Sequence, residues 1–160
     1  MIEEKKFFRV NKAISKDLFL DFKKFLLKAE LEPDIGNIVL MFDTKGGEVM
    51  YAVKMVKLMQ QSRLRFISIA LGKVDSAAAL IFLSAPIRFG YKEASALIHR
   101  AVKIDASISN KNLKKSEKQI FGIIAEKLSI SIREIYKMAD NVEGTIINMY
   151  HPLGKTFFMG

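Results

Sequence analysis

Two mostly apolar runs of strand length, separated by an amphipathic segment, constrain the fold of this chain more than any other feature. The runs are residues 37–42 (NIVLMF) and 66–71 (FISIAL), and Val49, Val53 and Val56 mark the apolar side of the segment between them. A strand that is apolar at nearly every position suits a sheet covered on both faces, and a helical crossover joins parallel strands. The sequence therefore predicts an α/β fold with mostly parallel strands.

Further elements extend this alternation in both directions. Residues 7–10 favour a short strand, and Ser15 is a typical N-cap for the helix that follows it. The apolar tail over 145–160 is expected to pack on the rest of the chain, whereas 107–118 is polar and basic. Residues 72–76 favour a turn. The other predicted elements are helices over 48–61, 77–83, 120–127 and 132–139, and strands over 87–89 and 96–101.

The composition excludes several classes of function. A length of 160 residues is that of one domain, which excludes a multi-domain enzyme. The chain has no cysteine, so disulfides, thiolate metal sites and a cysteine nucleophile are excluded, and two histidines leave little for a histidine-based metal site. We therefore expect neither a metal nor another cofactor.

The charge and the hydropathy pattern bear on partners and on location. A net charge of +9 makes nucleic acid a candidate binding partner. However, the basic residues are scattered, and the densest stretch, 111–118, has no aromatic residue for base stacking. No run reaches 18 apolar residues, and the charged start MIEEKKFF lacks the pattern of a signal peptide. The sequence predicts a cytoplasmic protein with no membrane partner, and nucleic acid is not favoured.

The first candidate site is the turn over residues 43–47 (DTKGG), which follows the first apolar run. Two glycines before a helix allow backbone N–H groups to face a ligand, and the helix dipole adds to the attraction for negative charge. The turn is therefore a candidate phosphate cradle or oxyanion hole, with a plain tight turn as the alternative. It is not a P-loop, because Lys45 precedes the glycines.

The second candidate site is Ser76, at the junction of the second apolar run and the next predicted helix. A serine here is either a helix N-cap or a nucleophile, and the alanines after it leave an unobstructed N–H at Ala77. A serine nucleophile needs a general base. His99, in the strand ALIHRA, is the candidate base, with a structural hydrogen-bonded histidine as the alternative. His151 is a second candidate, although the proline after it favours a turn.

The Gly-Gly turn, a serine about 30 residues later and a histidine 23 residues after that resemble the ClpP proteolytic subunits, which are serine peptidases with the crotonase-like ββα superhelix. The segments that carry the resemblance are NIVLMFDTKGG, FISIALGKVDSAAALIFLSA and IRFGYKEASALIHRA. They cover about residues 7–102, and 103–145 match more loosely. The resemblance implies a single domain over 1–160, with a head over about 7–102 and a shortened helical handle and tail over about 103–160.

The resemblance assigns a role to six residues at the two turns and to His99. Ser76 would be the nucleophile and His99 the general base. The backbone N–H groups of Gly46 and Ala77 would form the oxyanion hole. The stretch that pairs with the substrate as an added strand in this family would comprise Gly47, Glu48 and Val49.

In this family the nucleophile and the base form a catalytic triad with an acid, and this third member is less well defined in the sequence. The family has an acid after the handle helix, and an ungapped alignment places Val142 at that position, where it cannot act. Asp140, Asn141 and Glu143 lie within two residues of it. Asp140 is preferred, because its shorter side chain matches the aspartate of the family. Its alternative role is that of a residue capping the C-terminal end of a helix.

The sequence also departs from the family pattern in several places. Thr44-Lys45 replaces the usual Ser-Pro before the glycines, and Asp75 replaces the usual small residue before the nucleophile. The glycine-rich strand that usually follows the histidine is missing. The C-terminal extension of the sheet is truncated or diverged.

The function implied by the resemblance is a serine endopeptidase. Such an enzyme hydrolyses unfolded proteins or peptides inside a ring-shaped homo-oligomer. An AAA+ ATPase delivers the unfolded substrate to this ring. The departures at Asp75 and at the triad acid leave an alternative, a catalytically inactive subunit with a structural or regulatory role in a ring. Retention of both Ser76 and His99 favours the enzyme.

Overall fold

The computed structural model describes residues 4–100 and 109–159. Strands and helices alternate along most of this part of the chain. The strands are β1 (Glu4–Val10), β2 (Ile35–Thr44), β3 (Arg65–Val74), β4 (Ile87–Gly90), β5 (Ser95–Ile98) and β6 (Thr145–Asn148). The helices are α1 (Lys16–Glu30), α2 (Val49–Gln61), α3 (Ala77–Ser84), α4 (Asn110–Leu128), α5 (Ile132–Ala139) and α6 (Gly154–Phe158).

The strands form one sheet in the order β1-β2-β3-β5-β6, and β4 also pairs with β3. The early part of β3 pairs with β4, whereas Lys73 near its end pairs with Ser95 of β5. Every pairing is parallel except that of β5 with β6. The predicted α/β fold with mostly parallel strands is confirmed, and the carboxyl ends of β1, β2 and β3 lie together at one edge.

The core is centred on α3, whose residues 77–83 are all buried. A helix that is apolar on every side belongs inside a protein, which agrees with its lack of a polar face. Phe82 packs on Phe42 and Phe157, with ring centroids 5.5 and 5.6 Å apart respectively, and Phe158 lies 5.8 Å away. The prediction that the apolar tail packs on the rest of the chain is therefore confirmed.

Two predicted boundaries near the candidate site are wrong. Strand β3 continues to Val74 instead of turning at Gly72, because Thr44 and Ser95 supply strand partners for its last residues. Strand β5 ends at Ile98, where its antiparallel partner β6 begins at Thr145. The end of the predicted strand at residue 101 lies outside the described residues.

Helix α4 begins at Asn110, ten residues before the predicted start at 120. The Ser109 hydroxyl accepts the Asn112 N–H at 3.2 Å and caps the helix. Lysine is a good helix former, and the first turns of α4 bury no residue, so the apolar periodicity begins only at Ile120. Residues 101–108, which include the start of the predicted polar stretch, lie outside the described residues.

Within residues 4–100 and 109–159, we find no helix that combines the length and the apolar character needed to cross a membrane. The division of the chain into a head over about 7–102 and a handle and tail over about 103–160 stays a prediction.

Candidate active site

Ser76 lies between β3 and α3 with a strained backbone. Its φ is +53° and its ψ is −123°, a conformation that a residue with a Cβ rarely adopts and that costs about 1–3 kcal/mol. Ser76 holds the N-cap position of α3, but its side chain makes no capping hydrogen bond. A helix-capping role therefore does not explain why a hydroxyl is present at residue 76. Backbone strain of this kind is typical of functional sites.

A pair of hydrogen bonds to Leu97 holds this strained turn in place. The Ser76 N–H donates to the Leu97 carbonyl at 3.1 Å, and the Leu97 N–H donates to Asp75 Oδ1 at 2.8 Å. The Asp75 N–H also donates to the Thr44 carbonyl at 3.1 Å. Asp75, which departs from the family pattern, thus joins the turn to β5 and to the end of β2.

Burial makes the charge on Asp75 costly and raises its pKa above the ordinary value of 3.8, although the Leu97 N–H and the charge of Lys73 oppose the shift. The unfolded chain therefore ionises at lower pH than the folded chain. Stability is lost as the pH rises from 3.8 through the raised pKa, and the loss persists above it.

Asp75→Asn is accordingly expected to raise the unfolding temperature at pH 7, because the amide oxygen still accepts the Leu97 N–H without the cost of a buried charge. The gain should be a few degrees, since 1 kcal/mol corresponds to about 2–4 °C in a chain of this size. Thermal unfolding followed by circular dichroism at pH 7 and at pH 3 checks this. The gain should vanish at pH 3, and a lower unfolding temperature at pH 7 would contradict the prediction.

The Gly-Gly turn packs directly against Ser76. Gly46 has a φ of +90°, and a Cβ built on it would lie 2.5 Å from the Asp75 carbonyl oxygen and 3.0 Å from Ser76 Cβ. Only glycine fits this contact, because any side chain would collide with the Asp75 backbone, directly before Ser76. The structure thus brings together the two turns that the sequence predicted to form one site.

The backbone of this turn has one side occupied and one side open. The Ile14 N–H donates to the Gly46 carbonyl at 2.9 Å, and the Glu48 N–H donates to the Ile14 carbonyl at 2.8 Å. Gly47 lies between these two bonds, so its own N–H and carbonyl point away from Ile14. The Gly46 N–H donates to Thr44 Oγ1 at 3.2 Å.

The Gly46 N–H, which the resemblance assigns to the oxyanion hole, therefore already has an acceptor in the Thr44 hydroxyl. Among the described residues, neither the Gly47 N–H nor the Ala77 N–H has an acceptor. Ala77 is the first residue of α3, where a backbone N–H has no partner within the helix and the dipole favours negative charge. Gly47 and Ala77 are therefore the available donor pair.

Ser76 and His99 line the same small cavity, of about 30 Å³, together with Val49. This volume is roughly that of one water molecule in the liquid. Apolar side chains supply most of its other walls. They are Leu97 and Ile98 from β5 and Ile120, Phe121 and Ile124 from α4, with Glu117 beside them.

The imidazole of His99 is oriented by a backbone carbonyl. Its Nδ1 lies 2.7 Å from the carbonyl oxygen of Arg100. A carbonyl oxygen can only accept a hydrogen bond, so this contact assigns the proton to Nδ1. Nε2 is then the unprotonated nitrogen, which is the form that a general base requires.

Asp140 binds Arg100 and not His99. Its Oδ1 accepts from the Arg100 guanidinium at 2.6 Å, and Glu117 Oε1 accepts from the same group at 2.7 Å. The guanidinium carbon lies 4.6 Å from the centre of the Tyr136 ring. The hydrogen bonds from Asp140 and Glu117 raise the pKa of Arg100 above its ordinary value.

The other two candidates for the acid also lie elsewhere. Asn141 Nδ2 donates to Thr145 Oγ1 at 2.6 Å, and Glu143 is exposed. Asp140 takes the C-cap position of α5, its alternative role. No hydrogen bond within residues 4–100 and 109–159 joins His99 to a carboxylate. His151 accepts the Leu153 N–H at Nδ1 in the turn before α6, as its neighbouring proline indicated.

The sequence analysis missed Arg100 and Glu117. Arg100 directly follows the candidate base, and Glu117 is the single acid within residues 107–118. An isolated acid in a basic stretch is a signal that could have indicated a specific ion pair. Its partner could not be found without the tertiary structure, because 17 residues separate them.

Comparison with known proteins agrees with this architecture. The family model described as Clp protease matches residues 1–145, so the chain belongs to the Clp protease family. Over 135 residues it is 28% identical to the ATP-dependent Clp protease proteolytic subunit 2 of Borreliella burgdorferi. The aligned region covers 79% of this chain and 68% of that protein. Family membership supports a protease function.

Solved structures show the same fold at low identity. ClpP1 from Listeria monocytogenes superposes with a TM-score of 0.79 at 21% identity, covering 95% of this chain and 86% of that one. A mutant of the same protein gives 0.82 at 20% identity, covering 96% and 87%. The ClpP catalytic domain from Plasmodium falciparum gives 0.77 at 16% identity, covering 89% and 76%. The ClpP-like fold with a shortened handle, expected from the sequence, is confirmed.

Proposed function

We propose that this chain is a serine peptidase in which Ser76 is the nucleophile and His99 the general base. The observation that carries the proposal is the strained backbone of Ser76, whose hydroxyl makes no capping bond while the residue shares a cavity with His99. Backbone strain of this kind persists only where the surrounding structure holds it, and it clusters at active sites. A serine that only begins a helix does not need such a conformation.

The proposed reaction proceeds through an acyl-enzyme. Ser76 Oγ attacks the carbonyl carbon of a peptide bond while His99 Nε2 takes the hydroxyl proton. The tetrahedral intermediate then collapses, its C–N bond breaks, and His99 returns the proton to the leaving amine. Water, deprotonated by His99, hydrolyses the acyl-Ser76 ester and restores the serine.

We assign the oxyanion hole to the N–H groups of Gly47 and Ala77, in place of the expected pair of Gly46 and Ala77. Donors of this kind stabilise the charge that develops on the carbonyl oxygen. The substrate would add as a strand on the open edge that Gly47 presents, while Glu48 remains paired with Ile14. Val49, the first residue of α2, would contact the substrate from the wall of the cavity that holds Ser76.

Asp140 is proposed to act on His99 through Arg100. The guanidinium of Arg100 is bound by Asp140 and Glu117, and the carbonyl of the same residue accepts the His99 Nδ1 proton. Asp140 is in this view a positioning residue, because it holds the carbonyl that orients the base.

Asp140→Asn is therefore expected to lower kcat by about 10–100-fold. Losses of this size are typical when a residue that only orients a functional side chain is replaced, as with the residues that orient metal ligands. A carboxylate in direct contact with the base would cost about 10⁴. Arg100→Gln should cause a similar loss, and the double variant should lose little more, since both changes release the same carbonyl. Steady-state kinetics on a fluorogenic peptide measure all three.

Glu143→Gln, an exposed acid three residues away, is the matched control and should be close to neutral. A loss near 10⁴ in Asp140→Asn combined with a neutral Arg100→Gln would contradict positioning through Arg100. It would show that Asp140 contacts His99 directly during turnover.

We further propose a homo-oligomeric ring that degrades peptides or unfolded proteins with an AAA+ ATPase as partner, in the cytoplasm. Family membership supports this, as does the name of the Borreliella relative, which describes an ATP-dependent protease. A peptidase site open to solvent on an 18.1 kDa chain would need an enclosure to restrict its substrates.

The ion pair of Asp140 with Arg100 also favours a second candidate, a catalytically inactive ring subunit. In that case His99 would lack a carboxylate because the chain no longer performs catalysis. A fluorophosphonate probe distinguishes the two candidates, since it reacts only with an activated serine. Labelling of the assembled protein at Ser76, located by peptide mass spectrometry and absent after heat denaturation, is the expected result. Absence of labelling in folded, assembled protein would favour the inactive subunit.

A further inference from the structure

A second and larger cavity, of about 380 Å³, is lined in part by the Gly-Gly turn. Its lining comes from the residues after β1, from the end of β2 with the turn that follows, and from Lys73 near the end of β3. The carboxyl ends of neighbouring parallel strands are the edge at which α/β sheets bind ligands. Gly46 lines this cavity and also contacts Ser76, so the cavity adjoins the proposed active site.

The lining carries an excess of positive charge. Lys12, Lys45 and Lys73 come from three different strand ends, and all three are exposed. Asp43 is the one acid among the lining residues, and its carboxylate accepts the backbone N–H of Lys73 at 3.0 Å. Among the described residues, none of the three lysines forms an ion pair.

Two of these lysines lie close enough to the proposed active site to influence it. The charges of Lys73 and Lys45 both act to lower the pKa of Asp75, the residue before the nucleophile. The cavity therefore offers three cations to a group bound beside Ser76.

We propose that this cavity binds a carboxylate of the peptide substrate, the side chain of an aspartate or glutamate near the scissile bond. The inference rests on the proposed peptidase function and names its preferred substrates, acidic peptides. A substrate strand on the open edge of Gly47 would run beside Gly46, which lines this cavity, so a flanking side chain could extend towards the lysines. A free inorganic anion would satisfy the same chemistry, and the experiment separates the two.

The test compares fluorogenic peptides that are identical except for glutamate or glutamine at each position flanking the cleaved bond. At one or more positions, kcat/KM should be about three- to tenfold higher for glutamate, which is the range expected for one or two exposed ion pairs. The ratio should fall towards one in the Lys45→Gln/Lys73→Gln variant and at high salt. Lys57→Gln, an exposed lysine of α2 outside the cavity, should leave the ratio unchanged.

A binding measurement keeps this inference separable from the peptidase proposal. Fluorescence anisotropy of the same labelled peptides on the Ser76→Ala variant reports Kd without turnover. If glutamine peptides are cleaved but no position shows a preference for glutamate, the inference fails while the peptidase stands. If nothing is cleaved, the peptidase proposal fails, and equal Kd values for the two peptides would overturn the inference as well.

Inorganic phosphate distinguishes a substrate carboxylate from a free anion. Phosphate should raise the Kd of the glutamate peptide and leave that of the glutamine peptide unchanged, because it competes for the lysines alone. The cavity would be assigned to a free anion by two results together. Phosphate would raise the unfolding temperature of the wild type but not of the double lysine variant, and neither assay would show a preference for glutamate. That result would overturn the proposal.

Discussion

Replacing Ser76 by alanine is expected to lower peptide turnover by about 10⁶, the loss typical when the nucleophile of a serine peptidase is removed. The change deletes the hydroxyl that would attack the substrate and nothing that holds the fold. The Ser76 side chain makes no capping bond, and its backbone bond to Leu97 remains. Stability should therefore change by no more than about 1 kcal/mol. Peptide hydrolysis and thermal unfolding on the same preparation measure both effects.

Ser84→Ala is the matched control, because it removes a hydroxyl from the last residue of the same helix. That hydroxyl donates to the Leu80 carbonyl at 2.7 Å and lies away from the proposed site. Activity should be unaffected in this variant. If Ser76→Ala retains more than a tenth of the parental activity, another residue is the nucleophile and the assignment of Ser76 is wrong.

Gly46→Ala is expected to have the second largest effect, a fall in kcat of about 10²–10³, comparable with the loss of one oxyanion-hole donor. The new Cβ would lie 2.5 Å from the Asp75 carbonyl oxygen, at a φ of +90° that alanine disfavours. The turn must move away from Ser76 to relieve this contact, and Gly47 moves with it. The free energy of unfolding should fall by about 1–3 kcal/mol.

Gly122→Ala provides the comparison for this glycine substitution. A Cβ at Gly122, in the middle of α4, would meet nothing within 4 Å, so the change should stabilise the protein by about 0.5–1 kcal/mol and leave kcat unchanged. Kinetics measured below the unfolding midpoint of each variant separate misplacement of the turn from unfolding. A Gly46→Ala variant with parental kcat would show that the turn does not position the oxyanion hole.

The order of elements in the first hundred residues could be predicted because the signals are local. Mostly apolar strands such as 37–42, the serine cap of α1 and the apolar segment of α3 each reflect the burial or hydrogen bonding of the element itself. Boundaries were less well predicted where a partner strand decides them, as at the end of β3. The lysine-rich start of α4 was missed because a solvent-facing helix has no apolar period.

The sequence by itself determined the fold family and the place of the Gly-Gly turn, and it singled out Ser76 and His99 as candidates, because each depends on residue type and spacing. Only the tertiary structure decided which backbone N–H groups face the site, since that depends on the pairing of Ile14 with this turn. It also decided the partner of Asp140. An ion pair forms where folding brings side chains together, and Arg100, 40 residues earlier in the chain, reaches Asp140 only once β5 and α5 are packed.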